Sequence, residues 1–261
     1  FSFLRDADSG AFIGAIPGIF QSLSAGQLTS ALLLISAIVA TVVVFVIAVY
    51  AQAMKIEIPL SFGRVRGHGI RWPLNFMYTS NIPVILIAAL LANIQLGASF
   101  LSNKLGWNAA VVTNWVNPPN IVQLIIQNGS PFIGVTPWLR VLVYMLILIG
   151  GSMLFSYFWV QTSGMDARSQ AKQILSSGLQ VPGFRKDPRV IEHILNRYIL
   201  PLTIMGGALV GFLAALADVS GALSRGTGIL LTVMIIYKLY EDTARQHMMD
   251  MNPMMRKFMG K

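Results

Sequence analysis

This 261-residue chain has long stretches without lysine, arginine, aspartate or glutamate, among them those between Asp8 and Lys55, Arg71 and Lys104, Arg140 and Asp166, and Arg197 and Asp218. A helix needs ~20 mostly apolar residues to cross a hydrocarbon core ~30 Å thick, so each stretch is long enough to span a bilayer. In lipid every backbone polar group must be satisfied within the chain, which leaves helices as the economical solution for runs of this kind. Composition agrees: 55% of residues are hydrophobic and 11% charged, against roughly 25% charge in soluble domains.

The reading is an all-α membrane protein with five transmembrane helices, at 27–50, 74–101, 138–160, 198–217 and 226–247, the last a span with an extension. The fifth is the shortest, its apolar part running from about Gly226 to Tyr240, with Lys238 placed to snorkel toward the interface. Between the spans lie a leader at 1–26, connectors at 51–73, 102–137, 161–197 and 218–225, and a tail at 248–261. Five spans put fifteen of the nineteen Lys and Arg residues on one side and four on the other. The positive-inside rule then makes 51–73, 161–197 and the tail cytoplasmic and the amino terminus external. Four spans would carry the basic tail outside. Phe1 is not a methionine, and the opening residues form neither a basic n-region nor a cleavable signal, so the chain is expected to be a piece of a longer one.

Each connector has its own character. Residues 51–73 read as two short extended runs around a Gly63-Arg64-Val65-Arg66-Gly67 tip, a basic, hairpin-like projection. In 161–197, Asp166 is placed to cap a helix over 167–177 with Gly178 as its stop. Asp187-Pro188 then opens another helix that can run into the fourth span. An exposed turn, Val181-Pro182-Gly183-Phe184-Arg185, separates them. Segment 102–137 carries Asn117-Pro118-Pro119-Asn120 and Asn128-Gly129, the marks of an ordered external loop, with a short surface helix around Ile121 to Ile126.

The chemistry of an enzyme is missing from the sequence. It has no HExxH, no Gly-rich phosphate loop and no acid pair within a span. With no cysteine and three scattered histidines, neither a disulfide framework nor a metal centre is expected, and no cofactor is called for. Gly150-Gly151-Ser152 and the GxxxG of Gly207 and Gly211 read as close helix packing. Ion-coupled transporters usually keep an Asp, Glu, His or Lys at membrane depth, and the first four spans contain none. They do contain Asn81-Ile82-Pro83, an amide available to a neighbouring helix beside a proline that would kink the span. From the residues alone a passive pore, half of a secondary transporter for a small solute, or a membrane scaffold all stay open.

Several strings match a known family. Leu74-Asn75-Phe76-Met77-Tyr78-Thr79-Ser80-Asn81-Ile82-Pro83-Val84-Ile85-Leu86 resembles the seventh transmembrane helix of SecY-type channels of the archaeal and eukaryotic kind. Leu195-Asn196-Arg197-Tyr198-Ile199-Leu200-Pro201 resembles the entry to their ninth, Val181-Pro182-Gly183-Phe184-Arg185 the loop before it, and Gly226-Thr227-Gly228-Ile229-Leu230-Leu231-Thr232-Val233 the start of the tenth. The resemblance implies one half of a ten-helix, pseudo-symmetric protein-conducting channel, helices six to ten. Such a channel passes unfolded or nascent polypeptide and releases hydrophobic segments sideways into lipid.

Within that frame the resemblance assigns Ile82 and Leu231 to the pore ring, Asn81 and Pro83 to the lateral gate, and Arg64, Arg66, Arg185 and Lys186 to a cytosolic docking surface. Its implied partners are the missing amino-terminal half, small single-span subunits (one SecE-like, one a beta subunit), the ribosome or another cytosolic partner, the nascent polypeptide and the bilayer itself. It implies a cell-membrane protein, or one of the endoplasmic reticulum if eukaryotic.

Overall fold

The computed structural model describes residues 14–62, 69–105, 110–128, 134–177, 179–180 and 187–251. In chain order these form α1 (Ala15–Ser24), α2 (Leu28–Ala53), β1 (Lys55–Phe62), β2 (Gly69–Asn75), α3 (Ile82–Leu105), α4 (Ala110–Val116), α5 (Ile121–Asn128), α6 (Val135–Thr162), α7 (Ala167–Ser176), β3 (Leu179–Gln180), α8 (Pro188–Val219) and α9 (Gly226–Met251). The helical segments that begin at Leu28, Ile82, Val135 and Pro188 are long and apolar enough to cross a membrane. α9 is not among them, because Lys238, Glu241, Asp242 and Arg245 interrupt its apolar run.

Three expectations need correction. The all-α class omits a three-stranded sheet of order β2-β1-β3. β1 and β2 pair antiparallel from Lys55–Asn75 to Ser61–Gly69, and β3 pairs with the far end of β1. The second span does not start at 74 but at Ile82, because residues to Asn75 belong to the strand and the next six make a turn. Ser80 sits there at φ 57, a left-handed conformation that stops a helix from extending backwards. Pro83 therefore makes no kink. It is the second residue of α3, where the N–H it lacks would have had no acceptor within the helix.

Other expectations match the elements found. α5 covers the predicted surface helix, and α8 runs unbroken from Pro188 through the fourth span. Asp166 caps α7 by accepting from the Ser169 N–H at 3.3 Å, and Asp187 accepts from the Arg189 N–H at 2.9 Å. Ser169 is the main reason the Asp166 carboxyl titrates below its ordinary value of 3.8. A lowered folded-state value contributes stability that is present above the unfolded value and lost as pH falls through the folded one. Asp166→Ala should cost about 1 kcal/mol of stability at neutral pH. The gap from wild type should close below about pH 4; an equal gap at pH 3 and pH 7 in denaturant titrations would show that the cap contributes nothing through its charge.

The packing centre is the α6–α8 pair. Lipid tails are as apolar as leucine, so helices associate in a membrane by close packing and hydrogen bonds. Gly207 and Gly211 supply the closeness. A Cβ on Gly207 would lie 2.7 Å from the Ser156 Cβ, and one on Gly211 would lie 2.8 Å from the Leu148 carbonyl oxygen. Small hydroxyls supply the bonds: Ser152 Oγ donates to the Gly207 oxygen at 2.7 Å and Ser156 Oγ to the Thr203 oxygen at 2.8 Å. α3 joins through Ile87, whose side chain fills the place of a Gly151 Cβ.

A second core docks the connectors on the helices. Ile58, Leu74 and Tyr78 from the hairpin and its exit pack with Ala171 and Ile174 of α7 and Ile191, Leu195 and Ile199 of α8. The Tyr78 hydroxyl donates to the Met165 oxygen at 2.7 Å, fastening that exit to the α6–α7 turn. The hairpin thus stands on the helical body rather than hanging from it.

Candidate pore and gate site

The turn into α3 and the first turns of α9 meet inside the bundle. Asn81, 1% exposed, donates from Nδ2 to the Leu230 carbonyl oxygen at 2.6 Å. Its Oδ1 is buried and has no hydrogen-bond partner among the described residues. Beside it Thr79, also 1% exposed, shares a hydroxyl contact of 2.8 Å with Ser156 Oγ. A strained Ser80, a buried amide with one empty end and a run of hydroxyls occupy a single turn. Buried acceptors without donors usually cost ~1–3 kcal/mol, and such features concentrate at functional positions.

Ile82 and Leu231 flank the Asn81–Leu230 bond, one on each helix, and both are only partly covered. Leu230 is 1% exposed; Leu231, turned roughly 100° from it around α9, leaves the core. Each residue assigned to the pore ring is thus the chain neighbour of one partner in a hydrogen bond that links positions 149 apart. Pro83 is buried in the same turn. Asn81 was expected to project from a helix one position before Ile82, but it precedes the helix, and its carbonyl accepts from the Ile85 N–H at 3.2 Å.

Reading the sequence missed how the start of α9 is fastened. Asp218, at the end of α8, accepts from the Tyr144 hydroxyl at 2.6 Å and from the Gly226 N–H at 2.7 Å. An acidic residue closing an apolar span, eight positions before the glycine that opens the next helix, was the available signal. Farther along α9, Lys55 and Glu241 form an ion pair of 2.9 Å, with Lys55 Nζ 5.8 Å from the Tyr237 ring centroid. The Glu241 bond raises the Lys55 pKa above its usual value. With side chains 30% and 41% exposed, such a pair contributes at most ~1 kcal/mol.

Arg64, Arg66, Arg185 and Lys186 lie outside the described residues. Their neighbours do not. Ser61 and Phe62, at the end of β1, pair with Gln180 and Leu179 of β3, so the two basic connectors share one sheet.

A family model described as SecY matches residues 9–240. The chain is 42% identical over 246 residues to the protein translocase subunit SecY of Methanococcus vannielii, covering 93% of this chain and 55% of that protein. To the same subunit of Pyrococcus furiosus it is also 42% identical, covering 96% of this chain and 55% of the relative. It spans about half the length of the curated relatives it matches. Among solved structures, one of SecY, described for a plug domain that stabilises the closed state of the translocation channel, aligns with a TM-score of 0.72 and 39% identity, over 91% of this chain and 55% of that one. Another, of Sec61 in the canine ribosome–channel complex from the endoplasmic reticulum, aligns with a TM-score of 0.65 and 37% identity, over 90% of this chain and 54% of that one. A match across most of the chain, in sequence and in fold, makes this multi-pass membrane protein a member of the SecY family.

Proposed function

We propose that the chain forms the carboxy-terminal half of a protein-translocation channel, five spans packed against a second half, through which unfolded or nascent polypeptide crosses the membrane and hydrophobic segments leave sideways. The observation that carries this is the buried bond from Asn81 to Leu230, which joins the turn before Ile82 to the stretch of α9 that holds Leu231. α9 is the fifth span in this reading, short because protein covers part of it, and the charge distribution puts the hairpin and the tail in the cytoplasm. Two relatives named as protein translocase subunits support the activity.

Ile82 and Leu231 act as part of a hydrophobic constriction. Apolar side chains dewet a narrow passage against hydrated ions and yet yield to an extended chain of any sequence. Asn81 and Pro83 form the gate turn. The buried Asn81 amide ties the gate turn to α9 through the Leu230 oxygen, and the proline fixes the start of α3. Single-span subunits, one SecE-like and one a beta subunit, pack on the apolar outer faces in a cell or endoplasmic-reticulum membrane. No cofactor takes part, and the protein is a conduit rather than an enzyme.

Replacing Ile82 and Leu231 together with serine in the full-length channel should raise its resting ion conductance in planar bilayers at least about tenfold, because a wetted constriction no longer excludes ions. Conductance equal to wild type would remove both residues from the pore.

A further inference from the structure

Side chains from the end of α8 and from the turn before α3 hold the first turns of α9. The first four N–H groups of a helix have no acceptor within it. At Gly226 the Asp218 carboxylate supplies one through Oδ1 at 2.7 Å, and its charge suits the positive end of the helix dipole. Tyr144, bonded to the other oxygen at 2.6 Å, fixes the direction in which that carboxylate points. Gly226 also has no room to slide: a Cβ there would lie 2.5 Å from the Ala214 Cα and 2.7 Å from its carbonyl carbon. One turn further on, Asn81 Nδ2 makes its 2.6 Å bond to the Leu230 oxygen.

Burial follows the same division. Ile229, Leu230 and Val233 are at most 4% exposed, whereas Ile235, Ile236 and Leu239 are 60%, 49% and 68% exposed. Among the described residues α9 is therefore buried at its start, and beyond it one face is uncovered, with the exposed Lys55–Glu241 pair as a link farther along. We infer that Asp218 and Asn81 are a positioning pair that docks the start of α9 from α8 and from the turn before α3, and so sets where Leu231 stands. The docking follows from geometry alone; its consequence for ion flow rests on the pore reading of Leu231.

Amide hydrogen exchange over residues 226–234 of the full-length channel in nanodiscs reads the docking directly. Asp218→Ala and Asn81→Leu should each speed exchange there about tenfold, the effect of one lost buried hydrogen bond. Asp218→Asn should stay within about twofold of wild type, since its Oδ1 still accepts from Gly226 and its amide can donate to the Tyr144 oxygen. If Asp218→Ala does not accumulate, Asn81→Leu and Asp218→Asn carry the test. Unchanged exchange in Asn81→Leu, or an asparagine at 218 that behaves like alanine, overturns the inference. Resting conductance of the same variants separates it from the pore reading. Faster exchange with raised conductance supports both; faster exchange with wild-type conductance keeps the docking and removes Leu231 from the constriction.

Discussion

Gly211→Leu should force α6 and α8 apart and cost about 3 kcal/mol, the upper part of the range for overpacking a tight contact. The reason is what stands opposite. A Cβ at 211 would meet the Ser152 hydroxyl, and it would lie 2.8 Å from the Leu148 oxygen and 3.0 Å from the Ile149 Cα. Two of those atoms are backbone of a helix that cannot step aside, and the displaced Ser152 would lose its 2.7 Å bond to Gly207. No hydrophobic force restores the contact, because in a bilayer separated helices are covered by lipid at little cost. The control is Gly150→Ala. Nothing lies within 4 Å of a Cβ there, so stability should move by less than about 0.5 kcal/mol, or rise slightly through helix propensity. Melting of the purified full-length protein in detergent compares the two, and a Gly211→Leu melting point equal to that of Gly150→Ala would refute the packing account.

These glycines show how far the sequence could be read. Apolar length and missing charge pointed to the four helices long enough to cross a membrane, because bilayer thickness imposes length and desolvation excludes charge, and both constraints act on the chain segment by segment. The GxxxG of Gly207 and Gly211 was legible as a contact, but its partner was not, since nothing local names Ser152 and Ser156. The start of α3 was misplaced for a related reason. Leu74, Phe76 and Met77 are apolar like the helix after them, and pairing with β1 and the left-handed Ser80 divide strand from span. Asp218 read as a boundary charge because its donors, Tyr144 and Gly226, are brought to it by packing. Asn81 was visible as a polar residue at membrane depth, yet the one-sided use of its amide depends on where α9 lies.

Reversing Arg64, Arg66 and Arg185 together to glutamate should weaken ribosome binding about 10²-fold at low salt, reckoning roughly 1 kcal/mol for each exposed charge contact. Basic connectors beside a membrane ordinarily do no more than satisfy the positive-inside rule or touch anionic lipid. Each connector here carries a net charge of about +3, which does not separate the two roles. What favours docking is the scaffold from which these arginines depart. β1 and β2 form a paired hairpin seated on α7 and α8, and β3 ties the second basic connector to the same sheet. Arg64 is two residues from Phe62 and Arg185 five from Gln180, so both follow strands whose neighbours are spaced by ~4.8 Å. Guanidinium groups pair bidentately with phosphate, and each neutralised phosphate releases counterions, so binding should fall steeply with salt and less steeply in the triple variant. Binding of ribosomes to proteoliposomes, measured against salt for wild type and variant, decides it. Equal affinity and equal salt slope, with insertion into the membrane intact, would leave these arginines as topology signals.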